Sequence, residues 1–273
     1  MTTLYLERTS GRIAYDDSGA GPLVICAPSL GDVRAEYRYL APQIVAAGYR
    51  VVTMDLRGLG ESSVGWDDYS VSGVGADLLA LIRQLDAGPA VIVGTSMAAG
   101  AAVWAAAEGA DSVVGLVLIG PFVRGSTSAI NALLYTVLFA RPWGAAAWNW
   151  YYGSLYPTAK PGDFAAYTSA LRANLSDPGR LAALRQMLFA SKAASEQRLC
   201  QVTAPAHVIM GAKDPDFKDP AAEARWVASQ LHGAITLIPD AGHYPHAEMP
   251  ALTAPVVLNF LTTCHFQPEA QHG

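Results

Sequence analysis

Short apolar runs alternate along this chain with stretches of helical length, and few folds accommodate that rhythm. The runs fall at residues 23–27, 50–54, 90–94 and 113–119. The rhythm fails between 121 and 199, then resumes with runs at 207–210 and 235–238. A continuous apolar run suits a strand covered on both faces. Strands alternating with helices imply a parallel sheet flanked by helices. The helical partners are residues 35–47, 71–85, 97–108, 220–231 and 251–263. Ahead of them, residues 3–8 and 12–16 alternate apolar and polar about a Ser10-Gly11 turn, which predicts an antiparallel pair at a sheet edge. The expected fold is therefore α/β, with a mostly parallel eight-stranded sheet.

Between 121 and 199 the patterns are helical only, at 129–140, 144–151, 163–173 and 179–193. This segment reads as a helical insertion after the sixth strand. Residues 1–120 and 200–273 then form one core, with 121–199 placed upon it. No internal repeat interrupts the pattern, and a short polar tail follows Cys264.

Composition excludes several alternatives. With 273 residues, 52% of them hydrophobic, one large α/β unit can fill its own core. Only 15% of residues are charged, the net charge is −5, and the cations are scattered, so no nucleic-acid partner is expected. Cys26, Cys200 and Cys264 lie far apart without C-x-x-C spacing, which argues against a disulfide framework or a zinc site. Free thiols in a reducing cytoplasm are expected. The first residues, MTTLYLERTSGR, lack a basic region followed by an apolar stretch, so no leader is visible. The uncharged stretch from 87 to 107 is broken by Gly88-Pro89, by Gly94-Thr95-Ser96 and by Gly100, so a strand, a turn and a helix explain it without stable membrane insertion. Oligomeric state stays open between monomer and homodimer.

The sharpest local signal is Val93-Gly94-Thr95-Ser96-Met97-Ala98. A strand ends at Gly94, a helix begins near Met97, and Ser96 occupies the turn. Small residues at Gly94 and Ala98 permit a tight, strained backbone that lifts the hydroxyl above the sheet. The plain alternative is a strand-to-helix turn with Ser96 as an N-cap. A serine nucleophile needs a base and an orienting acid. Suitable groups follow the two last strands: Asp214 after Gly211-Ala212-Lys213, and His243 after Pro239-Asp240-Ala241-Gly242. Loops at the carboxyl ends of parallel strands share one crevice. His243 would take the Ser96 proton, and Asp214 would hold the imidazole tautomer. Asp216, Asp219 and Asp240 are competitors for Asp214. His246 lies three residues beyond His243, but no third metal ligand is evident, so it reads as pocket wall or helix cap. His207 reads as a satisfied core histidine, and His232 and His265 as surface residues.

Four pieces in order, DLRGLGES, GTSMA, GAKD and PDAGHYPHAEMP, resemble the α/β-hydrolase family, specifically its cap-bearing serine hydrolases. The resemblance spans nearly the whole core. It implies that Ser96 is the nucleophile, that the insertion is a cap over the pocket, and that Asp55, Arg57, Gly58 and Gly60 serve structure. Members of the family often carry His-Gly in the loop after the third strand, where this chain has Pro28-Ser29-Leu30-Gly31-Asp32. The oxyanion hole needs backbone N–H groups rather than that His, and Leu30 and Met97 are the expected donors. Asp32 and Arg34 nearby either contact a substrate or belong to a solvated loop, the simpler reading.

A serine at the elbow implies acyl transfer to water, and the resemblance favours a carboxylic ester or lactone. A C–C hydrolase or a Ser-based lyase would keep the same triad. Outside catalysis, the same scaffold would serve as a hydrolase-like receptor for a small ligand. Between 125 and 159 Arg141 is the sole charged residue, while Trp143, Trp148, Trp150, Tyr151, Tyr152 and Tyr156 crowd together. Either these aromatics glue the cap to the core or they line an apolar acyl pocket. On the second reading Ser29, Phe122, Trp143, Trp148, Tyr152 and Tyr244 surround a small apolar substrate. No cofactor or metal is required.

Overall fold

The computed structural model describes residues 2–125 and 129–266, with the side chains of 129–132 excepted. Most of the expected polar tail, residues 267–273, lies outside the described residues. Eight strands form one sheet: β1 (Leu4–Arg8), β2 (Gly11–Ser18), β3 (Leu23–Ala27), β4 (Arg50–Met54), β5 (Ala90–Thr95), β6 (Val113–Ile119), β7 (Ala206–Gly211) and β8 (Ala234–Ile238). Their order is β1-β2-β4-β3-β5-β6-β7-β8. The β1/β2 pair is antiparallel and strands β3 to β8 pair in parallel, as the alternation predicted, and β2 also pairs antiparallel with β4.

Both sheet faces are covered because both are apolar. In β3, β5 and β6, Ile25, Ile92 and Leu116 join one core cluster while Val24, Val91 and Val117 join the other. Burying each such side chain contributes about 1.5–3 kcal/mol. On the second side lie α1 (Ala41–Ala46), through Ile44, and α11 (Pro250–Thr263), through Ala254, Val257 and Leu261. On the first side lie α2 (Val71–Leu85), α3 (Met97–Glu108) and α9 (Pro220–Gln230). The alanine-rich α3 lets elements approach closely; a Cβ at Gly75 of α2 would stand 2.9 Å from Ala101 O.

The insertion carries α4 (Ala129–Leu138), α5 (Gly144–Ser154), α6 (Phe164–Leu175), α7 (Pro178–Phe189) and the short α8 (Ala193–Glu196), and no strand among the described residues. A further short helix, α10 (Pro245–Glu248), precedes α11. One expectation is corrected. The helix read over 35–47 is a single turn at Arg34–Tyr37 followed by α1. Pro42 explains the break, since inside a continuous helix its ring would meet the Arg38 carbonyl and it has no N–H to donate. None of the described helices is long and apolar enough to cross a membrane.

Candidate active site

Three strand ends build the site. At the end of β5, Ser96 holds φ 57 and ψ −120, a conformation that costs a non-glycine residue energy and persists only where its surroundings enforce it. The enforcement is visible: Ser96 N–H donates to Ile119 O at 2.8 Å, and Ser96 O accepts from Phe122 N–H at 3.1 Å. A Cβ at Gly94 would lie 2.7 Å from Ala98 O, so only glycine admits this tight turn. The Ser96 hydroxyl makes no cap hydrogen bond to α3, which sets aside the N-cap reading.

Asp214 and His243 follow β7 and β8. Asp214 Oδ1 accepts Asp216 N–H at 3.0 Å and Oδ2 receives His243 Nδ1 at 2.7 Å, so both carboxylate oxygens are fixed. Asp214 and His243 are each 2% exposed. Gly120, at φ 49, backs the pair; a Cβ there would stand 3.0 Å from the His243 ring. The His243 loop is tied to the insertion as well. His243 N–H donates to Leu155 O at 3.0 Å, and Glu248 accepts from Gly242 N–H at 2.6 Å and from Thr158 and Ala159 N–H at 2.9 and 2.8 Å.

Burial is the largest influence on the His243 ring and by itself lowers its pKa. Asp214, through charge and hydrogen bond, with Asp216 and Glu36 behind it, outweighs burial and raises the pKa from 6.5 to about 9. Burial also raises the Asp216 carboxyl above its ordinary range, against the pull of His243. Asp216 Oδ2 lies 3.8 Å from His243 Nδ1, and Asp216 accepts the Tyr151 hydroxyl.

Ser96 and His243 border one cavity of about 310 Å³. No hydrogen bond joins them among the described residues; the structure links Asp214 to His243 directly and places Ser96 across the same space. Leu30 borders the cavity too, whereas Met97, the first residue of α3, does not line it and its side chain is fully buried. Among the described residues neither Leu30 N–H nor Met97 N–H is taken by a protein acceptor.

Of the six residues expected around a substrate, Ser29, Phe122, Trp148 and Tyr244 line the cavity. Two do not. Trp143 is 52% exposed with Nε1 donating to Val137 O, and Tyr152 is wholly buried with its hydroxyl on Asp32 Oδ2 at 2.8 Å. Trp143 stands just before α5, and Tyr152, one turn beyond Trp148 on the same helix, is held by Asp32 instead of reaching the cavity. The wall is also less apolar than the aromatic window implied. Arg124, Lys192 and Asp216 line it beside Tyr135, Tyr151 and Leu188. Arg124 and Lys192 lie outside that window, Arg124 just before it and Lys192 well beyond it, at positions with no motif.

Other positions resolve differently from expectation. Asp32 is buried rather than solvated, accepting Tyr152 and Tyr167 hydroxyls and Val33 N–H. Burial, then the charge of Glu36, lifts its pKa to about 7 against those hydrogen bonds. Arg34 is bound into Asp16, Asp55 and Glu61. His246 is neither pocket wall nor cap; fully buried, it puts Nε2 3.1 Å from Glu36 Oε1 and stacks on Tyr37 at 5.1 Å. Asp219 caps α9 and Asp240 pairs with Lys213 at 2.6 Å, so neither competes for His243. Asp55 accepts from the N–H groups of Arg34 and Glu61, Arg57 is bound to Asp77 and Gly73 O of α2, and a Cβ at Gly60 would collide with the Asp55 carboxyl at 2.1 Å. Half-buried His207 meets Thr236 Oγ1 at 2.8 Å, and His232 and His265 are exposed. All three cysteines are free thiols. Asp214, Asp216 and His243 bring ligand-type atoms within 4.8 Å of one another. The 2.7 Å contact of Nδ1 with Asp214 fills the edge where a cation would bind, so these residues suit a proton better than a metal.

Comparisons with known proteins bear on the fold and the family. Residues 24–256 match the model of a family described as the alpha/beta hydrolase family. "Putative non-heme bromoperoxidase BpoC" of Mycobacterium tuberculosis is 41% identical over 88 residues, which cover 32% of this chain and only 33% of that relative's length. A probable esterase of Oryza sativa is 25% identical over 261 residues, covering 89% of this chain and 92% of the relative. The crystal structure of a bromoperoxidase from Bacillus anthracis superposes with a TM-score of 0.83 at 21% identity, covering 96% of this chain and all (100%) of that one, a likeness of fold.

Proposed function

We propose that this chain, which belongs to the alpha/beta hydrolase family, is a serine hydrolase that cleaves a carboxylic ester or lactone of a small molecule through an acyl-enzyme. One observation carries the reading. A strained serine whose hydroxyl caps nothing faces the same cavity as a buried imidazole fixed by a carboxylate.

Ser96 Oγ attacks the substrate carbonyl as its proton passes to His243 Nε2. The resulting imidazolium is stabilised by Asp214, the interaction that already raises the ring's pKa. Leu30 and Met97 N–H, both without a protein acceptor among the described residues, receive the oxyanion of the tetrahedral intermediate. His243 returns the proton to the leaving alcohol, and a water deprotonated by the same ring then releases the acid from Ser96. Phe122, Trp148 and Tyr244 give the bound acyl part an apolar bed. The name of the rice relative supports ester chemistry by analogy.

A panel of small esters, lactones and thioesters, run on wild type beside Ser96→Ala and His243→Ala, tests the proposal. Wild type is expected to turn over at least one oxygen ester or lactone and both variants to lose that activity. Turnover surviving both changes removes the mechanism. Stoichiometric ligand uptake without turnover would instead favour a receptor.

A further inference from the structure

Lys192 is the one charged group on the cavity wall, among the described residues, that no opposite charge claims. Arg124 donates to both carboxylate oxygens of Glu223, at 3.0 and 2.5 Å, and lies 3.6 Å over the Trp226 ring. Asp216 is engaged by Tyr151 and faces His243. Lys192, in the turn between α7 and α8, is 7% exposed, and its Nζ donates to Ala190 O at 2.7 Å. An ammonium carries three donors, so this bond leaves two. No carboxylate lies within ion-pairing distance among the described residues. Burial alone lowers its pKa from 10.5 to about 8, which still leaves it mostly protonated at neutral pH. Lysine is almost never buried unless paired, and a purely structural bond to one carbonyl does not require a charge beside an esterase pocket.

We propose that Lys192 is a specificity-determining residue that pairs with a carboxylate carried by the substrate, so that the preferred substrates are half-esters or lactone acids rather than neutral esters. This inference rests on the serine hydrolase reading of the same cavity. The substrate then has an apolar body, held by the aromatic wall, and an anionic end directed to the insertion. That revises the wholly apolar substrate the sequence implied. The anion replaces the water that otherwise solvates the ammonium, and the ion pair forms in a largely desolvated site where it counts for more than at a surface.

The test compares monoethyl succinate, glutarate and adipate with ethyl butanoate, pentanoate and hexanoate, following acid release. Wild type is expected to show at least tenfold higher kcat/KM on one half-ester than on the neutral ester of equal length. Lys192→Met should reduce that ratio about tenfold, mainly through KM, and Lys192→Arg should restore most of it. A ratio that is unchanged in Lys192→Met, with both substrates losing equally, identifies a structural role and overturns the proposal, as does a wild-type preference for neutral esters. If wild type hydrolyses neither series, the hydrolase reading fails on this panel and binding decides the role of Lys192. Glutarate or adipate should then raise the Tm of the Ser96→Ala protein but not that of Ser96→Ala/Lys192→Met. A Tm unmoved by either diacid in both proteins refutes the assignment.

Discussion

The cavity has two walls of different origin. One is made of strand ends, with Ser96 and His243 on the cavity and Asp214 behind the ring, fixed by buried hydrogen bonds and by glycines that leave no space for a Cβ. The other is made of side chains from the helical insertion, Tyr135, Trp148, Tyr151, Leu188 and Lys192, whose positions depend on how those helices pack. In the first wall the sheet register dictates where the backbone turns, so few residue types are allowed. In the second, many side chains would fill the same space. On the proposed function, chemistry belongs to the strand ends and substrate choice to the insertion. Changes in the two walls should separate kcat from KM.

The strand-end wall should respond most strongly. Asp214→Asn should lower kcat by about 10⁴-fold, because the amide no longer holds the reactive tautomer of His243. Steady-state kinetics at fixed pH, with Tm confirming that the variant folds, checks this. A loss confined to KM would erase the division between the walls.

Gly120→Ala comes next. The added methyl meets the His243 ring at 3.0 Å from a backbone at positive φ, and a displacement of that kind costs on the order of 10²-fold in kcat/KM. Wild-type activity in this variant would mean that the ring position is not critical.

The pH profile separates the walls on another axis. The ring must be neutral to accept the Ser96 proton, so kcat/KM should fall as pH drops through a pKa held above 6.5 and near 9. The stability it contributes runs the other way: complete below about pH 6.5, it is lost as pH rises through about 9, because the folded protein holds that proton more tightly than the unfolded chain. Asp216→Asn removes a charge that supports the imidazolium, so the acid limb should move to lower pH. A limb that stays in place would show that Asp216 does not reach the ring.

Outside both walls little should change. Trp143→Ala removes a half-exposed side chain that does not border the cavity, and kcat/KM should stay within about twofold with stability changed by about 0.5 kcal/mol, measurable by steady-state kinetics and Tm.

The same contrast explains what could be read from the sequence. The central strands and the mostly parallel sheet were legible because Leu23–Ala27, Ala90–Thr95 and Val113–Ile119 are buried on both faces and so almost uniformly apolar. The placing of Ser96, Asp214 and His243 just past strand ends was legible because turns after strands need particular residues at particular offsets. The insertion wall was not. Trp143 and Tyr152 carry the same aromatic signal as Trp148, and only packing decides which of them faces the cavity. Asp32 looked like a loop carboxylate because its partners, Tyr152 and Tyr167, arrive from more than a hundred residues away, as does Trp148, which donates to Gly31 O. Lys192 carries no local pattern at all.

Whether Ser96 is the activated nucleophile is decided by reaction with a fluorophosphonate probe and mapping of the modified peptide, since that reagent needs an activated hydroxyl. A single adduct is expected on Ser96, absent from Ser96→Ala and formed far more slowly in His243→Ala. An adduct on another residue, or a wild-type protein that stays unmodified, would refute the assignment of Ser96.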